Sequence, residues 1–461
     1  MMRENPGRDA PLVQALRETA HPIYGVREDN DALFACIGNA RIVLLGEASH
    51  GTHEFYRERA RITRRLIEER GFHAVAVEAD WPNAHRVHRY VRGQGHDPDA
   101  QSALGDCRRF PAWMWRNTEM LDFVGWLREY NDAHPMEYAL GGVGFYGLDL
   151  YSLHSSIEHV LGYLDRVDPE AARRARERYG CFGRVGETRE TGEPGEDPQR
   201  YGYHTTLGLT PSCEGEAVAQ LVELQRRRSE FLHDGALAED EFFQAEQNAR
   251  LVESAEAYYR TMFLGHVASW NLRDTHMADT LDDLLDHLDA QVERARVVVW
   301  AHNSHLGDAR ATEMSRHGEL NLGQLLRERH GGQVVSIGFF THHGTVSAAT
   351  GWGQAVERKQ VQPALEGSYE ALFHRVGLPR FFLDQRELGE AAGMLWEQRL
   401  ERAIGVVYRP GSERASHYFE AQLPAQFDGL LHFDETRAVE PLERTAEWER
   451  GELPETFPSS V

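Results

Sequence analysis

Apolar runs of four or five residues recur along the chain, each breaking off abruptly into polar residues, and helical periodicity fills the intervals between them. The first run, Arg41-Ile-Val-Leu-Leu45, predicts a strand. Thr52 to Arg70 then reads as a helix, with Thr52 as N-cap and Gly71 as the stop. His73–Val77 predicts the next strand, and Pro82 suits the opening turn of a helix that carries Val87, Tyr90 and Val91 at helical spacing. Gly142–Leu148, Val297–Ala301, Val334–Phe340 and Ile404–Tyr408 predict further strands. Strands alternating with helices are the signature of a parallel sheet. The expected fold is α/β, a mostly parallel central sheet flanked by helices.

A stretch of different character separates the third and fourth strands. Gly183 to Gly215 is rich in Gly, Glu, Thr and Pro, which predicts an extended, mobile loop. Helices are expected after it over Glu216–His233, Glu239–Phe263 and Leu272–Arg294. This predicts an inserted loop and helical cap over 183–265, standing over the carboxyl edge of the strands. The flanking parts, 1–182 and 266–461, would together form the α/β catalytic core.

Composition narrows the function. The 461 residues include 50 basic and 73 acidic side chains, a net charge of −23. Nucleic acid and anionic membrane both demand a basic footprint, so neither is an expected partner. The four cysteines, Cys36, Cys107, Cys181 and Cys213, form no CxxC pair, and neither a disulfide framework nor a cysteine-built zinc site is expected. No secretory signal or apolar run of membrane-spanning length is visible. A cytoplasmic, reduced protein acting on a small molecule is the expectation, with oligomeric state undetermined.

Candidate chemistry lies where the strands end, because ligands of open α/β sheets bind beyond the carboxyl ends. The first strand is followed by Gly46, Glu47 and His50, the second by Glu78, the third by Asp149, and the fourth by His302, Asn303 and His305. Imidazole titrates near neutrality, so a positioned His50 can take a proton from water, with Glu47 orienting it. A carboxylate at Glu78 or Asp149, at the end of a buried run, must be paired or protonated. His302 and His305 share a face if their turn is helical, and Asn303 is a candidate donor to a carbonyl or oxyanion. Arg273, Met277, Leu281, Leu284 and Leu288 make a helical stripe, so the Arg extends a buried face and should meet a carboxylate or a substrate. No Gly-x-Ser-x-Gly elbow or phosphate-binding loop is present. Two chemistries fit these residues: a His-activated water, or a divalent metal held by Glu47, His50, Glu78, His302 and His305. A non-catalytic protein with a binding cleft is a third reading.

Four ordered motifs carry a family resemblance. Gly46-Glu-Ala-Ser-His-Gly-Thr-His-Glu-Phe-Tyr56, Ala76-Val-Glu-Ala-Asp-Trp-Pro82, Asn271-Leu-Arg-Asp-Thr-His-Met-Ala278 and Trp300-Ala-His-Asn-Ser-His-Leu-Gly307 resemble the erythromycin esterase family, from about Arg41 to Tyr408. The resemblance implies an α/β core with a helical portion and hydrolysis of an ester or macrolactone, as in macrolide resistance, with no cofactor or metal required. It implies that His50 activates water. Glu47, Glu78, Arg273, His302 and His305 would line the cleft, with Arg57, Asn303, Asp149 and Trp81 on the substrate side. The substrate remains open between a macrolide and another ester.

Overall fold

The computed structural model describes residues 9–135, 142–183, 198–231 and 236–450. Its centre is a nine-stranded sheet. In chain order the strands are β1 (His21–Pro22), β2 (Ile42–Leu45), β3 (Ala74–Asp80), β4 (Gly144–Asp149), β5 (Val297–Trp300), β6 (Val334–Ala348), β7 (Glu357–Val361), β8 (Arg380–Asp384) and β11 (Gly429–Thr436). Two more, β9 (Arg399–Arg402) and β10 (Tyr418–Ala421), pair with each other as a small antiparallel sheet. The order across the large sheet is β1-β8-β11-β6-β2-β5-β3-β4, with β7 paired to the far end of β6. The six strands from β11 to β4 are mutually parallel, while β8, β1 and β7 join antiparallel.

Every residue of β2, β3, β4 and β5 is buried. That is why these strands read as unbroken apolar runs: a parallel sheet covered on both faces leaves no wet side to alternate with. Burying one such Val, Leu or Ile contributes about 1.5–3 kcal/mol, so each run supplies its own driving force. One face, with Ile42, Leu44, Ala74, Ala76, Val297 and Val299, packs on the helices Leu153–Val167, Pro169–Tyr179, Glu214–Arg226, Ala236–Thr261, His266–Asp289 and Leu322–His330. The other face, with Val43, Leu45, Val75, Val77, Val298 and Trp300, packs on Asp31–Ile37, His53–Arg70, Trp81–Val91 and Thr118–Ala133. The chain runs β2, β3, β4 outward and then returns to place β5 between β2 and β3, so the carboxyl ends of these four strands surround one crevice.

Several expectations are corrected in detail. Ile404–Tyr408 is not a strand: Ile404 and Val407 make only isolated bridges, to Ser49 and Ala349. The segment read as a loop over 183–215 contains the helix Pro198–Thr206; residues 184–197 lie outside the described residues. The expectation of reduced cysteines also fails for one pair. Cys181 and Cys213 form a disulfide with Cα atoms 5.9 Å apart, joining the end of the Pro169–Tyr179 region to the start of the helix Glu214–Arg226. Spacing could not reveal this, because 32 residues separate the two and the intervening fold brings them together. Cys36 and Cys107 are free and buried. Among the described residues no helix is long and apolar enough to cross a membrane.

Candidate active site

A cavity of about 350 Å³ opens at the carboxyl ends of β2, β3, β4 and β5. His50, Glu78, Asp149, Arg273, His302 and His305 all line it. Its outer walls come from the segments around Arg109–Trp115, Tyr151, Trp270, Met314, Trp352 and Ala403–Val406. None of its lining residues comes from 183–265; the described helices of that stretch pack in the layer on one sheet face.

The turn after β2 is shaped by its glycines. A side chain at Gly46 would run into Asn303 Oδ1, and Gly51 has φ of +69° with the Ser347 carbonyl against it. Only Gly meets both demands. Between them Glu47 is buried and accepts at Oε1 from His50 Nδ1, 2.8 Å away. Its other oxygen lies 2.8 Å from Arg59 Nη2. Arg59 is 0% exposed and its guanidinium sits over the rings of Tyr56 and Trp300. This cation, not Arg57, serves the site. Arg57 points outward and is exposed, so its expected place in the cleft is corrected. Helical periodicity held the signal, because Phe55, Arg59, Ile62 and Leu66 make one stripe, the argument that picked out Arg273.

The β5 end is arranged differently. His302 caps the short helix Asn303–Leu306, its Nδ1 accepting from the Ser304 backbone N–H at 3.2 Å and facing the Ser304 hydroxyl at 2.9 Å. Burial, with His50 close by, holds its pKa well below the usual imidazole range, so the ring is neutral with its proton on Nε2. The rings of His302 and His50 lie 4.8 Å apart. Asn303 is 1% exposed; its amide donates to the Phe339 carbonyl at 3.0 Å, and it does not line the cavity. Its expected substrate contact is therefore corrected to a brace between the β2 turn and β6. Trp81 is likewise corrected: it is 2% exposed and packs on Tyr146 and Phe243 in the core.

Arg273 is the hub of the far wall. It donates to Asp149 from Nε and Nη2 at 3.0 and 2.7 Å, and from Nη2 to Glu78 Oε1 at 2.7 Å. Asp149 lines the cavity, but both its oxygens are held by this fork. Glu78 Oε2 accepts the His302 backbone N–H at 2.9 Å. Burial opposes ionisation of Glu78, but His305 and Arg273 outweigh it and hold its pKa well below the carboxylate range. His305 is clamped at Nδ1 by Asp274, 2.9 Å away, and stacked under Trp270 at 4.6 Å. Its Nε2 faces Arg273 Nη1 at 3.0 Å and Glu78 Oε1 at 3.4 Å. The Arg273 contact suits a neutral ring, yet three buried carboxylates (Glu78, Asp149, Asp274) face a single guanidinium here. Burial disfavours charge on His305, but Asp274 and Glu78 favour it more and raise its pKa to about 9. The carboxylates outweigh that contact, and the second ring N–H of His305 faces the ionised Glu78 Oε1.

Asp274, Trp270, Asp80 and Arg109 were not among the expected site residues. Asp274 sits inside a quoted motif, and its 0% exposure was hidden by the helix register. Asp80 lies in the cleft wall, where burial raises its pKa despite Arg109 3.4 Å away. Arg109 comes from a non-periodic segment that gives no sequence signal. The donors expected to gather round a metal are engaged with one another: Glu47 with His50 and Arg59, Glu78 with Arg273 and His302, His305 with Asp274.

The fold is α/β with a cleft at the carboxyl ends of its central parallel strands, and the comparisons place it in a family. The model of the erythromycin esterase family matches residues 67–436, and the chain belongs to that family. It is 24% identical over 432 residues to an Escherichia coli protein named erythromycin esterase type II, covering 90% of this chain and 94% of that one. A Bacillus subtilis (strain 168) protein named a putative hydrolase is 22% identical, covering 85% and 82%. Among solved structures, a mutant erythromycin esterase in its open conformation superposes with a TM-score of 0.62 at 17% identity, over 94% of this chain and 98% of that one. Family membership supports a hydrolase, esterase-like function.

Proposed function

We propose that this chain hydrolyses a carboxylic ester or lactone by direct attack of water, with His50 as general base. The observation that carries the reading is the Glu47–His50 pair, backed by Arg59 and facing the cleft. Glu47 holds the ring proton on Nδ1, which leaves Nε2 as the basic nitrogen. Nε2 takes a proton from the attacking water as its oxygen adds to the ester carbonyl, and returns that proton to the departing alkoxide. In this reading the neutral His302, whose ring lies 4.8 Å from that of His50, donates to the oxyanion. Arg273, Glu78, Asp149 and His305 fix the far wall and, through the Glu78 contact to the His302 amide, the position of that donor. The aromatic lining of Trp115, Tyr151, Trp270 and Trp352 suits an apolar acyl or macrocyclic body.

The test is a panel of macrolides and activated esters given to wild type and His50→Ala. The expected result, from wild type only, is a ring-opened product heavier by one water from a macrolide, or the free acid and alcohol from an open-chain ester. Equal turnover by the variant would remove His50 as the base, and no turnover of any panel member by wild type would remove the esterase reading.

A further inference from the structure

A second group of histidines lies where β6, β11 and the helix Tyr369–His374 meet, and none of its members lines the cleft. His342 sits on the part of β6 that runs beyond the end of β2, which pairs with it only as far as Ile337. His374 ends its helix, and Asp434 lies on β11. One ligand-type atom from each of these three falls within 4.8 Å of the others. The rings of His342 and His374 are stacked 3.9 Å apart, and His374 Nδ1 is 2.7 Å from Asp434 Oδ1. His432 approaches the same carboxylate oxygen from behind, Nε2 at 3.4 Å. It is 0% exposed, and its Nδ1 has no hydrogen-bond partner.

We propose that His342, His374 and Asp434 hold a divalent transition metal of the zinc type, with His432 supporting the Asp434 carboxylate from outside the ligand set. Two imidazoles and a carboxylate are a ligand set that zinc accepts with a water in the fourth place. A histidine contacting a ligating carboxylate is the outer-shell arrangement such sites use. The ligand atoms lie within 4.8 Å of one another and His374 hydrogen-bonds Asp434 at 2.7 Å, so zinc at about 2.0–2.2 Å from each ligand must replace that hydrogen bond and re-space the three. His374 can make that movement, since its side chain is 47% exposed at a helix end. The nearby Arg402 does not compete for Asp434, because it is spent on the Thr341 and His342 carbonyls and on Glu413.

The experiment titrates zinc into untagged, chelator-treated full-length protein by calorimetry. Wild type, His374→Ala, Asp434→Asn and His50→Ala are compared. One equivalent should bind to wild type and to His50→Ala, and binding should weaken at least about tenfold in His374→Ala and Asp434→Asn. Metal-free His374→Ala should melt with wild type, since the residue is exposed, which separates lost ligation from lost fold. The proposal is overturned if wild type binds no zinc, or if binding survives both cluster substitutions and vanishes in His50→Ala.

Discussion

On the β2 side of the cleft, His50 has Nδ1 held by Glu47 and turns the rest of its ring to the cavity. On the β5 side, His305 has Asp274 at one nitrogen, with Arg273 and Glu78 at the other. Both rings are buried and both have a carboxylate at Nδ1. A carboxylate partner therefore does not by itself mark a base. What differs is whether the second nitrogen is left for substrate chemistry or consumed by the protein.

Breaking the β2 side should have the largest effect on activity. His50→Ala should lower kcat about 10²–10⁴-fold with an unchanged urea midpoint, measured on whichever ester the panel identifies. Breaking the β5 side should show first in stability. Arg273→Met leaves Glu78 and Asp149 buried without their cation and should cost about 3–5 kcal/mol in urea unfolding. If its stability were intact while activity fell, the wall would be catalytic rather than supporting. The helix His53–Arg70 offers an internal control. Arg59→Met uncovers one buried carboxylate and should cost about 3 kcal/mol, whereas Arg57→Ala should stay within about 0.5 kcal/mol.

An effect smaller than that of breaking either ion pair is set by pH. His305 has a folded-state pKa raised to about 9, above the ordinary 6.5, so its contribution is full below pH 6.5 and is lost as pH rises toward 9. A step from pH 7 to 8 should then cost about 1 kcal/mol of stability, and His305→Gln should flatten that slope. His88 and His276, pushed down to about 4 by burial, act in the opposite sense and only below pH 6.5, whereas buried Glu401, held well above the carboxylate range, acts in the same sense as His305, so the difference between wild type and His305→Gln is what reports His305.

The strands that build the crevice were legible because a doubly covered parallel strand cannot help being apolar along its whole length, and their polar ends stood out against it. The C-terminal strands were less so. β11 carries His432 within Gly429–Thr436, and β8 opens with Arg380, so neither reads as a plain apolar run. Residue roles at the site followed spacing wherever spacing was used. Arg273 lies on a buried helical stripe and Arg59 on an equally good one, whereas Arg57 has only an adjoining motif to recommend it. Asn303 and Trp81 show the other limit. Each sits beside a true site residue, yet the backbone claims the Asn303 amide and the core claims the Trp81 ring. Adjacent positions on a turn point in different directions, and chain order does not say which way.

The Cys181–Cys213 bond closes a covalent loop around the stretch between them. Any single cut of the backbone between those two residues leaves both pieces on one molecule until a reductant is added, so a nicked sample migrates as one band or two according to the gel buffer alone. The bonded and unbonded chains also differ in mass by two hydrogens. An intact-mass reading thus reports whether the bond is closed without any assay of function.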